Sequence, residues 1–235
     1  MQLNFSRYAI VCFFLLLSKF SQATPVSIDT GYQLVGSGYF SGSLDYVAAS
    51  NTSASLTLVL TNLDTGSAGG NITAVALNLP TVSGVSFSNL TSTAPINFAQ
   101  LGSFVNNDGI KASPLGDFDF GSAVTSPGMG ATSWSGGGNP SQGVQANATG
   151  TFVFNFIGTN LDSLSTLSFI NAVAPGAAAS APSSFIAVRF RGVGSDKVAG
   201  VTAVAPPVPV PASVWLMLSG LGGLGLFSRR KSSRA

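Results

Sequence analysis

The 235-residue chain is 45% hydrophobic and only 8% charged, and it contains no histidine, no glutamate and a single cysteine, Cys12. Zinc sites of the usual type, Ser-His-Asp triads, Cys-His dyads and glutamate acid/base pairs are therefore excluded. The net charge of +2 belongs to the two ends: residues 24–210 hold four cations against eight aspartates, a net of −4, which excludes the basic surface that nucleic-acid binding requires.

At the N-terminus Arg7 precedes an uncharged apolar run over residues 8–17, and Ser21-Gln22-Ala23 places small residues three and one positions before a cut after Ala23. That is the tripartite secretory pattern, with Ser21 and Ala23 as its cleavage residues. A run of 10 residues falls short of the ~20 that a spanning helix needs, so residues 1–23 are expected to be a removable signal. Cys12 leaves with it, and the exported chain then has neither disulfide nor thiolate chemistry.

The next stretch, residues 24–200, suits one domain. Leu56, Leu58 and Leu60 alternate with Thr57 and Thr61; Val75, Leu77 and Leu79 alternate with Ala76 and Asn78; Phe152, Phe154 and Phe156 alternate with Val153 and Asn155. A period of two marks strands with one buried face. Turn chemistry separates them, at Asp64-Thr65-Gly66-Ser67 through Asn71, at Asn106-Asn107-Asp108-Gly109 and at Ser135-Gly136-Gly137-Gly138-Asn139-Pro140. The pattern predicts an all-β domain, an antiparallel β-sandwich of jelly-roll type. A β-solenoid is the alternative, and the lack of a fixed-period repeat weighs against it.

Few residues of this domain carry chemistry. In Gly116-Asp117-Phe118-Asp119-Phe120-Gly121 a continuous strand puts Asp117 and Asp119 on one face and the phenylalanines on the other. The two aspartates could contact a ligand as a metal-binding pair or, less readily, a catalytic pair; the simpler reading, which is favoured, is the wet face of a sheet over a phenylalanine core. Asn107-Asp108-Gly109 lacks the further acids of a calcium loop, and no metal or other cofactor is expected. Arg189 and Arg191 share a face of their predicted strand, either to grip an anionic group or as the wet side of an edge strand. Trp134, beside three glycines, is either a platform for a sugar ring or a cap on the core. Sequons begin at Asn51, Asn71, Asn89 and Asn147, but tripeptides of this kind arise by chance in a chain so rich in Asn, Ser and Thr.

After a linker at 201–207, the C-terminal segment 208–235 has three parts in order. Pro206-Pro207-Val208-Pro209-Val210-Pro211 favours an extended backbone without donors at the prolines. Residues 208–227 then form an uncharged run of 20, which as a helix at 1.5 Å per residue reaches ~30 Å, the thickness of the hydrocarbon layer. Ser219 and Gly223 offer small residues for close helix approach. Arg229, Arg230 and Lys231 follow, with Arg234, as a membrane stop that stays cytoplasmic. An ordinary stop-transfer anchor has the same helix and the same charges.

Val208, Pro209, Pro211 and Ala212, followed by Trp215, the glycine-rich run and the basic cluster, resemble the PEP-CTERM sorting signal of Gram-negative bacteria in its Val-Pro-x-Pro-Ala variant. Val210 stands where the namesake glutamate would be, which leaves the exosortase subtype open. The block from Gly136 to Gly143, with strands at 151–157 and 185–191 leading to Gly194-Ser195-Asp196-Lys197, is similar to one in exported proteins of the same class. The resemblance implies an exosortase as processing partner, a transient stay in the inner membrane, cleavage near the proline motif, and delivery to the cell surface or extracellular matrix. The function it implies is that of a non-enzymatic structural protein of the surface or exopolysaccharide matrix. A carbohydrate-binding or adhesive module, with extracellular polysaccharide as partner, is the alternative.

Overall fold

The computed structural model describes residues 25–202 except 30–31, 36–37, 65–69, 96, 103–108, 126–133, 135–137, 180, 182 and 193–196. The chain divides into two units, Met1–Val204 and Ala205–Ala235, and every described residue lies in the first. The expected signal with Ser21 and Ala23, the sorting residues Val208, Pro209, Pro211 and Ala212, the apolar helix and the basic cluster Arg229, Arg230 and Lys231 all lie outside the described residues. Among those described, no helix is long and apolar enough to cross a membrane.

Two antiparallel sheets dominate. The first contains β1 (Val26–Asp29), β3 (Phe40–Ala48), β4 (Ser53–Asn62), β6 (Ser86–Thr93) and β11 (Thr149–Thr159), in the order β1-β3-β4-β11-β6. The second contains β2 (Tyr32–Val35), β5 (Asn71–Leu77), β7 (Phe98–Leu101), β10 (Phe120–Val124), β12 (Ser184–Arg191) and β13 (Lys197–Thr202), in the order β2-β13-β12-β5-β10-β7. β8 (Ile110–Lys111) and β9 (Asp117–Phe118) form a separate ribbon. Only β3–β4 and β12–β13 are successive strands paired with each other within a main sheet, so the chain changes sheet at most of its connections.

The alternation seen in the sequence explains why the sheets face each other. On β4 the side chains of Ala54, Leu56, Leu58 and Leu60 are buried, with half-exposed residues between them, and on β11 Phe152, Phe154 and Phe156 are buried in the same way. Phe120 of the second sheet meets Phe154 and Phe156 of the first edge to face, with ring centres 5.0 and 5.6 Å apart. Phe98 meets Phe152 at 5.2 Å. Such aromatic pairs contribute about 0.5–1.5 kcal/mol each beyond the area they bury. The helix Thr166–Ile170 closes one end of this core, with Phe169 5.0 Å from Tyr46 and 5.7 Å from Phe156.

β5 departs from the expected one-sided pattern, because every residue from Ile72 to Leu77 is buried. Val75 and Leu77 belong to the core between the sheets, whereas Ala74 and Ala76 join a second cluster with Ala187, Leu101, Ile110, Leu115, Phe118 and Trp134. The segments between β7 and β11 thus cover the outer face of the second sheet. Leu79, the third apolar residue of that triplet, lies beyond the end of β5 and is only half-buried.

Two polar groups fasten the framework. Asn62, fully buried, donates through Nδ2 to the carbonyls of Gly70 (2.8 Å) and Val144 (2.9 Å), while its Oδ1 accepts from the Asp64 N–H at 3.0 Å. Tyr46 donates its hydroxyl to the Leu161 carbonyl at 2.8 Å, and its own backbone N–H donates to Thr166 Oγ1 at 3.0 Å. Burial, assisted by the negative charge of Asp162, pushes the Tyr46 phenol up to about 12.

Candidate functional site

The aspartate motif is broken where the sequence suggested a continuous strand. Gly116, at φ 112°, turns the chain into β9, which pairs with β8; Asp119 then sits in a bend before β10 joins the second sheet. A side chain at position 116 would run into the Pro175 carbonyl oxygen, the group that accepts the Asp117 N–H at 2.9 Å. Asp117 is half-buried and Asp119 is buried. The expectation of two aspartates side by side on a wet sheet face is thereby corrected. Phe118 and Phe120 are also separated: Phe118 packs in the outer cluster and Phe120 in the core between the sheets.

Arg189 and Arg191 do share the outer side of β12, but that strand lies between β13 and β5 and is no edge. Arg189 is buried, and its Nη1 donates to the Trp134 carbonyl at 2.7 Å. Arg191 approaches the Gly138 carbonyl at 3.5 Å. The pair therefore holds the backbone of the segment that covers the sheet, and Trp134, 7% exposed, turns its ring into the outer cluster. Of the two readings of Trp134, its burial fits the cap on the core and not the exposed platform for a sugar ring.

Asp119 participates in a different arrangement. Its backbone N–H donates to the Leu77 carbonyl at 3.1 Å, and its Oδ2 accepts from the Leu79 N–H at 2.7 Å. These two bonds straddle Asn78 and fix the chain as it leaves β5. Asn78, Leu79 and Asp119 lie against a cleft of about 610 Å³, lined also by Pro80, Thr81 and Val82, and on the far side by Ser168, Asn171, Ala172, Val173 and Pro175. The size is that of a small-molecule site, and the mixture of apolar wall with a few polar groups is the composition such sites have. Asn78 is 4% exposed, and neither its Oδ1 nor its Nδ2 has a hydrogen-bond partner. Sequence reasoning selected Asp119 for its charge and missed Asn78, which looked like a polar spacer in an alternating strand.

No group of three or more His, Cys, Asp or Glu side chains is placed to hold a metal ion among the described residues. The comparisons with known proteins bear on the tail. A PEP-CTERM protein-sorting motif matches residues 207–231, a span that encloses Val208, Pro209, Pro211 and Ala212 together with Arg229, Arg230 and Lys231. No curated protein and no solved structure matches the chain.

Proposed function

The chain carries a PEP-CTERM protein-sorting motif and is an exported exosortase target, and from that premise we propose that it is a non-enzymatic structural protein of the cell surface or exopolysaccharide matrix. The N-terminal signal starts export and is removed after Ala23. Residues 208–227 then cross the inner membrane as a helix while Arg229, Arg230 and Lys231 remain in the cytoplasm. The exosortase cuts near Val208-Pro209-Val210-Pro211-Ala212, and the domain, a sandwich wired as a jelly roll, passes to the surface. The observation that carries this reading is the sorting motif at residues 207–231.

Composition supports a role without catalysis, since the chain has no histidine or glutamate and loses its cysteine with the signal. The outer face of the first sheet points the same way. Ser43, Asp45, Thr57, Val59, Thr151 and Val153 lie there side by side with a single charge among them, a polar, weakly charged surface suited to packing in a hydrated matrix. A carbohydrate-binding module is the second reading, favoured by the cleft beside Asn78 and Asp119.

Replacing both Pro209 and Pro211 by alanine tests the sorting step. Cells bearing the double variant are expected to accumulate an unprocessed, membrane-bound chain, detected by fractionation and immunoblotting. Release of the domain at the normal level from that variant would contradict the proposal.

A further inference from the structure

The cleft at the exit of β5 combines a polar floor with apolar lips. Asn78 presents an amide with one acceptor and two donors, all unused and sealed just beneath the surface. Next to it stands the Asp119 carboxylate, and Thr81 and Asn171 add polar groups at the exposed margin. Val82 and Val173, 41% and 40% exposed, flank the opening. Burying an amide without partners destabilises the fold, and a leucine at position 78 would avoid that cost. A ligand that supplies those partners relieves it on binding.

The lining selects the ligand. No lysine or arginine borders the cleft, so an anion would meet the Asp119 carboxylate with no cation to offset it. A purely apolar ligand would leave the amide unpaired and bury a charge as well. Hydroxyl groups fit both partners: each donates to a carboxylate or amide oxygen and accepts from an amide N–H. The C–H faces of a sugar ring match the valine and proline walls.

We propose that this cleft binds an uncharged saccharide, with the Asn78 amide turning outward to bond one hydroxyl and the Asp119 carboxylate accepting from its neighbour. The site rests on the second reading above, that the domain binds carbohydrate, and owes nothing to the sorting reading.

The test uses the full chain in a non-glycosidic detergent, with cellobiose, lactose and mannobiose as probes and saturation-transfer NMR as readout. At least one of these sugars is expected to bind. Asn78→Leu should weaken it about tenfold or more, the loss of one to two hydrogen bonds, while Thr57→Ala on the outer face of the first sheet leaves it unchanged. Val173→Arg, at the exposed lip, should block the opening without touching the core, and it decides the matter if Asn78→Leu does not fold. Binding that persists in Asn78→Leu and Val173→Arg would overturn the site and spare the carbohydrate reading. No binding of any of the three sugars would overturn both.

Discussion

Asn62 and Asn78 are both buried asparagines in or beside strands of one domain, and their surroundings give them opposite energetic roles. Asn62 satisfies two carbonyls and an N–H; its removal strands those backbone groups away from water, where each unpaired one costs about 1–3 kcal/mol. Asn62→Ala is therefore expected to destabilise the domain by about 2–4 kcal/mol in urea denaturation. Asn78→Leu removes an amide that has no partner, and the same measurement should show unchanged or raised stability.

Tyr46 adds a pH dependence. Its phenol stays protonated in the folded protein up to about 12, whereas an unfolded tyrosine ionises near its ordinary value of 10.0. Between those values the unfolded state has lost a proton that the native state still holds, so stability falls as pH rises. Stability curves from pH 9 to pH 12 are expected to decline more steeply for the wild-type chain than for Tyr46→Phe. Parallel curves would contradict the assignment.

Among the elements, β11 contributes Phe152, Phe154 and Phe156 to aromatic contacts that join the two sheets. Phe154→Ala should cost about 3–5 kcal/mol, the range for deleting a fully buried aromatic ring, measured as a shift in the denaturation midpoint at constant slope. β4 and β11 were legible in the sequence because each has one buried face, and strict alternation is the local trace of that geometry. β5 was only half legible: its second face is buried by segments that follow much later in the chain, and no local period records such a cover. The same reason hid Asn62, Tyr46 and Asn78, whose roles depend on partners or neighbours distant in sequence. The arginines of β12 were placed correctly on a common side, but their strand was misread as an edge, since nothing in residues 185–191 tells that β13 will pair beyond it.

At the scale of the whole molecule, the tail and the domain are separate sources of information. The sorting motif at residues 207–231 is compact and local in sequence, so it was legible from residue types and order alone: a proline motif, an uncharged apolar run, then a basic cluster. The cleft beside Asn78 is assembled from three separate stretches of chain, which no local pattern records, and the domain's charge and composition only excluded chemistries. The sorting motif thus bears on export, and the saccharide proposed for the cleft bears on what the domain holds.

The most direct test of this route is the intact mass of the protein recovered from host cells with and without the exosortase. The account predicts a chain that has lost both its N-terminal 23 residues and the segment beyond the Val208-Pro209-Val210-Pro211-Ala212 motif when the exosortase is present, and one that keeps its C-terminus through Ala235 when it is absent. A C-terminus intact in both hosts would contradict it.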